Sequence, residues 1–338
     1  MRTPTRLPLL ACLFCTILWG CAAAFVSGSS INPGTLQALS SLVQAPILFA
    51  IARPRRATIA ATPWTAVLRI GACSAVICAC YFFSLRLAPP ALASALHLTA
   101  PVILLSVALA RGRRAPSAAT MAVMVLLVAG LVASMAGSGL SGAGNGRTLL
   151  GMALALGSAG VIACSVTMMN RHGGRGSSTL NAAIATTVSG LPFLPFLVLS
   201  PPSAHDVLVV AVVTVCCWVP ACLSNWWATP RIAPTLGTSI GLNEALVTGA
   251  VAWAVLGDRL APVQLAGGLA VGLAVLLEAR IHVVGAAAAR LQGGAPRRGG
   301  GHGRPDRRPA SRGIVVRSCR RVTRPVRVRT RARRIARA

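Results

Sequence analysis

The chain has 338 residues, 55% of them hydrophobic and 11% charged, with a mean hydropathy of +0.71. About a quarter of the residues of a soluble domain are charged, so an ordinary soluble fold is excluded. All 33 basic residues are Arg, set against five acids and no Lys, which also excludes a Walker phosphate loop and the Schiff-base and pyridoxal enzymes that need a lysine.

A bilayer core takes roughly 20 mostly apolar residues per helix. Runs of that length predict ten spans: 7–27, 34–52, 65–85, 90–110, 118–137, 149–169, 179–199, 207–228, 236–257 and 263–280. The breaks are rich in Pro, Gly, Ser and Arg, as at Asn32-Pro33-Gly34, Arg53-Pro54-Arg55-Arg56, Ala88-Pro89-Pro90, Arg111-Gly112-Arg113-Arg114 and Ser200-Pro201-Pro202. The predicted fold class is therefore an all-α polytopic membrane protein.

Positive loops stay in the cytoplasm. With the N-terminus inside, the inner loops hold Arg2, Arg6, Arg53, Arg55, Arg56, Arg111, Arg113, Arg114, Arg171, Arg175 and Arg231, and the outer loops only Arg86, Arg147 and Arg259. This asymmetry predicts a multi-pass protein of the cell membrane with both termini cytoplasmic. A competing reading of the N-terminus is a lipoprotein signal ending at Leu18-Trp19-Gly20-Cys21, but Trp19 is bulky where such signals take a small residue. Removing the segment would leave nine spans, so a retained first helix is the better expectation.

Three chemical signals have plainer readings. Gly137, Gly139 and Gly142 match a GxGxxG spacing but follow a membrane helix, and no acid precedes Ala204, so they read as a connector rather than a dinucleotide loop. Ten of the eleven Cys fall inside predicted spans with no zinc spacing, which points to helix packing and implies no metal or other cofactor. His205-Asp206 in a short outer loop reads as a helix cap rather than a catalytic pair.

Glu244 is the one acid deep in the body. A charge there costs about 2.5–3.5 kcal/mol on insertion scales, so such residues face a cavity or a partner. Helical spacing places Gly237, Gly241, Glu244 and Thr248 on one face. His97 shares a face with Ser94 and Pro101, and Trp218, Cys222 and Asn225 form a stripe on the eighth span. Gln44, Asn181 and Asn243 are further polar groups within spans. Candidate substrate or proton-pathway residues are thus Glu244, His97, Asn243, Thr248, Trp218, Asn225, Gln44 and Trp19. Arg69 is placed to snorkel to the headgroups, and Gly268 with Gly272 makes a GxxxG for close helix approach.

The two halves echo each other: Arg111-Gly112-Arg113-Arg114-Ala115-Pro116 follows the fourth span, and Leu256-Gly257-Asp258-Arg259-Leu260-Ala261-Pro262 follows the ninth. Five spans per half would insert the second half upside down, as in inverted-repeat transporters. With Trp19-Gly20 in the first span and Gln264-Leu265-Ala266-Gly267-Gly268 after the second turn, the chain resembles the EamA-type branch of the drug/metabolite transporter superfamily. That family carries a Leu-Gly-Glu-Arg-Leu turn after its fourth and ninth helices. Here Asp258 replaces the Glu, Arg113 stands for the acid in the first-half turn, and Ala245 replaces the proline of the family's Glu-Pro at Glu244.

The resemblance implies two inverted five-helix repeats, 1–137 and 149–280, joined by a connector at 138–148. It further implies a carrier that exports small metabolites, amino acids or drug-like compounds by alternating access, and no enzyme. A membrane-embedded enzyme or a non-transporting interaction protein is the alternative. Residues 281–338 hold 17 Arg against Asp306 alone. They form a basic cytoplasmic tail that is expected to be disordered and drawn to anionic lipids. Nothing in it gives specific nucleic-acid recognition. A selected role for the tail is one reading, and a compositional by-product of a GC-rich gene the other. Expected partners are a small-molecule substrate and the bilayer, with a homodimer possible.

Overall fold

A computed structural model describes residues 6–88, 90–110, 118–136, 145–256, 262–263, 266–270, 272–274, 276–277 and 280. The Arg111–Pro116 turn, the three connector glycines, Gly257–Ala261 and the basic tail lie outside them. By packing, the chain divides between Gly294 and Ala295. The second unit also lies outside the described residues.

The described residues form helices and no strand. The helices are α1 (Arg6–Gly28), α2 (Pro33–Ala52), α3 (Arg56–Ala60), α4 (Trp64–Leu87), α5 (Pro90–His97), α6 (Ala100–Ala110), α7 (Ala118–Ala136), α8 (Gly146–His172) and α9 (Ser178–Gly190). They continue with α10 (Phe196–Leu199), α11 (Ala204–Val213), α12 (Val219–Ala228), α13 (Pro234–Gly241) and α14 (Asn243–Val251). Among the described residues, five stretches are long and apolar enough to cross a membrane: Arg6–Val26, Pro33–Ala52, Trp64–Leu87, Gly146–His172 and Ala204–Arg231. Large apolar side chains such as Phe14, Val125, Val132, Leu156 and Val212 are exposed around the outside. Water-soluble proteins rarely leave so much apolar surface uncovered. The chain is a membrane protein whose described residues are helical and form no strand.

Local chemistry sets the helix ends. Asn32 Oδ1 accepts from Gly34 N at 2.8 Å, ahead of Pro33, whose missing N–H costs nothing at the first position of α2. Ser203 and Asp206 form a reciprocal capping box at α11, with Asp206 N donating to Ser203 Oγ at 3.1 Å and Ser203 N to Asp206 Oδ2 at 3.0 Å. The His205-Asp206 pair therefore contributes a cap.

Three predicted spans are interrupted and a fourth carries a π turn, each for a local reason. Within 90–110 the helix breaks at Leu98–Thr99, because Pro101 has no N–H for the His97 carbonyl and its ring crowds that carbonyl. Thr99 Oγ1 then turns back to Leu96 O at 2.7 Å. Within 236–257 the break falls at Leu242: Asn243 Nδ2 takes Ile240 O at 2.9 Å, and Leu242 N bonds Ser239 O at 3.1 Å in a tighter turn. Pro192 and Pro195 convert the end of α9 into a 3₁₀ turn, Leu191–Phe193, followed by α10. Pro220 removes a donor just after a π turn, Thr214–Trp218, that joins α11 to α12.

α4 packs on α8, α2 and α4 on α9, and α1 on α12 and α14. In lipid, helices associate through close approach of small residues. A Cβ at Gly71 of α4 would sit 2.8 Å from Val188 Cβ, and one at Gly20 of α1 only 2.6 Å from Val247 Cβ. The GxxxG glycines approach α14 of the same chain: added Cβ atoms at Gly268 and Gly272 would lie 2.6 and 3.5 Å from the Leu246 side chain. Polar clamps tie the ends. Arg86 donates to Ser29 O and Ile31 O at 3.0 and 2.7 Å, and Asn170 Nδ2 to Thr229 O and Ile232 O at 3.1 and 2.6 Å. Arg69 is exposed in the second turn of α4.

Candidate functional site

The helices enclose a cavity of about 320 Å³, within the range of small-molecule pockets. α1 contributes Cys12, Cys15, Thr16 and Trp19; α2 contributes Gln37, Ser40 and Gln44; α4 contributes Cys78, Tyr81 and Phe82. His97 enters from the end of α5 and Glu244 from the start of α14, each next to a helix break. Trp218, at the π turn, and Cys222, Asn225 and Trp226 of α12 complete the aromatic and polar wall.

Glu244 is half-buried, and its carboxyl makes no hydrogen bond or ion pair among the described residues. Its backbone is pinned: Thr248 Oγ1 donates to Glu244 O at 2.8 Å and lies 3.2 Å from Gly20 O of α1. Among the lining residues Glu244 is the one acid, and no Arg joins it. A ligand entering this space therefore meets an uncompensated carboxyl group in a cavity that Trp19 and Trp218 also line. That combination suits a cation, through charge attraction and cation–π contact.

His97 is held in a second polar cluster. Its ring stacks on Tyr81, with centroids 3.8 Å apart and planes 13° from parallel. Its Nδ1 lies 2.6 Å from Ser158 Oγ of α8, and Tyr81 Oη lies 3.0 Å from Ser94 Oγ. Gln44 Nε2 donates across to Trp218 O at 3.0 Å, and Gln37 Nε2 to Ser41 Oγ and Ser189 Oγ at 3.2 and 3.3 Å. Asn225 accepts from Thr229 Oγ1 at 2.7 Å.

Six of the candidates named from the sequence line this one space: Trp19, Gln44, His97, Trp218, Asn225 and Glu244. Asn243 and Thr248 do not. Asn243 serves the Ile240 carbonyl at the break, and Thr248, one turn beyond Glu244 on α14, serves the α1–α14 contact. Asn181 is fully buried and donates to Arg175 O at 2.9 Å, tying the α8–α9 turn. Tyr81, the only tyrosine in the chain, was not anticipated; a lone phenol in an apolar run is the signal that could have found it. Gln37 and Ser158 were also missed, and their roles depend on which helices meet. Among the described residues, no group of three or more His, Cys, Asp or Glu is placed to hold a metal ion.

No protein-family profile matches the chain, and no curated protein matches it. Solved structures do match. One, described only as "Crystal structure of protein", aligns with a TM-score of 0.65 over 80% of this chain and 96% of its own length, at 17% identity. At that identity the likeness concerns the fold alone. Together these observations establish a helical membrane protein, of a fold already represented among solved structures, with a polar and aromatic cavity between its helices.

Proposed function

We propose that the chain is an EamA-type carrier of the plasma membrane, with ten spans arranged as two inverted five-helix repeats that rock about the central cavity. The observation that carries this reading is the placement of Glu244 and His97. Each lies beside the break of a discontinuous helix, and both face one cavity. Broken helices meeting at a midplane site are the hallmark of inverted-repeat transporters. The two broken segments also share a Pro-x-Leu opening, Pro90-Ala91-Leu92 in the first and Pro234-Thr235-Leu236 in the second, with breaks at the corresponding Leu98 and Leu242.

In this reading α5 with α6 forms the fourth span, α9 with α10 the seventh, α13 with α14 the ninth, and residues 263–280 the tenth. Both termini lie in the cytoplasm, from the arginine asymmetry. The cargo is a small amphipathic cation whose charge meets Glu244 and whose apolar part rests on the tryptophans. A proton and the cation then compete for the same carboxyl group. The titratable groups that face Glu244 from neighbouring elements are Cys15 of α1 and Tyr81 of α4; neither brings a positive charge.

The test is flux in sealed vesicles containing the purified chain, with a panel of amines, amino acids and neutral metabolites under imposed pH gradients. Cation flux driven by a proton gradient is expected. No cargo-dependent flux under any gradient would remove the carrier reading and leave an enzyme or an interaction protein.

A further inference from the structure

The hydrogen bonds around His97 assign its tautomer. Ser158 Oγ has a single proton and lies 2.6 Å from Ala155 O, an atom that can only accept. It also lies 2.6 Å from His97 Nδ1. Both bonds exist together only when the hydroxyl donates to the carbonyl and Nδ1–H donates to the hydroxyl. In the neutral ring Nδ1 then carries the proton, and Nε2 holds a free lone pair. Stacking on Tyr81 keeps the ring plane from turning, so Nε2 is held on the edge opposite Ser158. Nε2 has no partner among the described residues, yet it is not among the sealed polar atoms that lack one. His97 lines the cavity, and Nε2 is its ring nitrogen left without a partner among the described residues.

We propose that His97 determines specificity in this cavity: its Nε2 accepts a hydrogen bond from an N–H of the cargo, so the site prefers primary ammonium cations to quaternary ones. The inference rests on the cation-carrying reading above. Charge attraction to Glu244 and contact with Trp19 and Trp218 act on any organic cation, whereas a lone pair at fixed position acts only on a cation that can donate. Gln44 points the same way. One of its two amide N–H groups donates to a backbone carbonyl, Trp218 O, which orients the side-chain amide and leaves its Oε1 as an acceptor.

The experiment uses the full-length chain in detergent, with phenethylammonium and its N-trimethyl analogue as probes read by quenching of tryptophan fluorescence. The wild type is expected to bind the primary ammonium more tightly. His97→Phe keeps a ring against Tyr81 but has no acceptor; it should weaken the primary ammonium by roughly tenfold to a hundredfold and leave the quaternary cation unchanged. His97→Gln restores an acceptor near the Nε2 position and should recover much of the preference. Equal loss for both cations in His97→Phe, or a preference untouched by it, overturns the proposal. If neither cation binds the wild type, the cation reading of the cavity falls and this inference with it.

A second measurement needs no ligand. In ¹⁵N imidazole spectra, the signals lost in His97→Phe should be one protonated nitrogen, Nδ1, and one unprotonated nitrogen, Nε2, with only the latter moving on addition of phenethylammonium. The reverse assignment overturns the proposal even if cations bind.

Discussion

Gly20 offers a direct test of how α1 and α14 hold Glu244. A methyl group there would sit 2.6 Å from Val247 Cβ and 2.8 Å from Glu244 O. Carbon atoms pack best at about 3.5–4.0 Å, so Gly20→Ala must push the two helices apart by about 1 Å. The Thr248 Oγ1 to Gly20 O bond, already 3.2 Å long, cannot survive that separation. Overpacking of this kind costs about 1–3 kcal/mol, and an interhelical hydrogen bond in a membrane adds about 0.6 kcal/mol. Against this, alanine in place of a helical glycine gains about 0.5–1 kcal/mol. The net is a loss of about 1–3 kcal/mol. Gly157→Ala is the matched control, because a Cβ at Gly157 of α8 meets nothing within 4 Å; it should be neutral or slightly stabilising. Thermal unfolding in detergent compares the two, with Gly20→Ala melting several degrees below Gly157→Ala and binding cations more weakly because Glu244 is displaced. A Gly20→Ala protein that melts as high as the control, with unchanged cation affinity, would refute the packing argument.

Other expectations follow from single contacts. Thr35 Oγ1 lies 3.1 Å from Phe196 O and 2.8 Å from Ser200 O, anchoring α10 to α2, so Thr35→Val should lower stability by about 1 kcal/mol, measured by the same unfolding assay. On a cysteine-free background, a cysteine placed at Ala204 should react with an impermeant reagent from the outer face; reaction from the inner face would reverse the topology. Deleting residues 293–338 should weaken association of the detergent-free vesicle protein with added anionic-lipid bilayers while leaving flux intact, and unchanged association would show that the tail makes no lipid contact.

The long uninterrupted spans were legible because apolar length and Pro/Gly punctuation are local properties. The expected 7–27, 34–52, 65–85 and 149–169 correspond to α1, α2, α4 and α8. The breaks inside 90–110 and 236–257 were not legible as breaks. Pro101 sits in the run like any tolerated membrane proline, and the competition of Asn243 for the Ile240 carbonyl appears only once the backbone is folded. Thr248 does sit one turn from Glu244, as helical spacing places it, but its hydroxyl is turned to the Glu244 and Gly20 carbonyls, a contact that depends on α1 packing against α14. Glu244 and His97 stood out because ionisable groups are expensive in an apolar run. Tyr81 did not, since an aromatic side chain there reads equally well as packing. Ser158 carries the tautomer of His97 from a different helix, and no spacing rule connects the two.

The central claim is that cation and proton share the Glu244 carboxyl group within the cavity. It is tested most directly by the proton released when phenethylammonium is added to the purified chain in weakly buffered detergent, followed with a pH-sensitive dye. The account predicts release from the wild type at a pH where the free protein holds that proton, and none from Glu244→Gln. Cation binding by the wild type without proton release across the accessible pH range, or release that persists in Glu244→Gln, would contradict it.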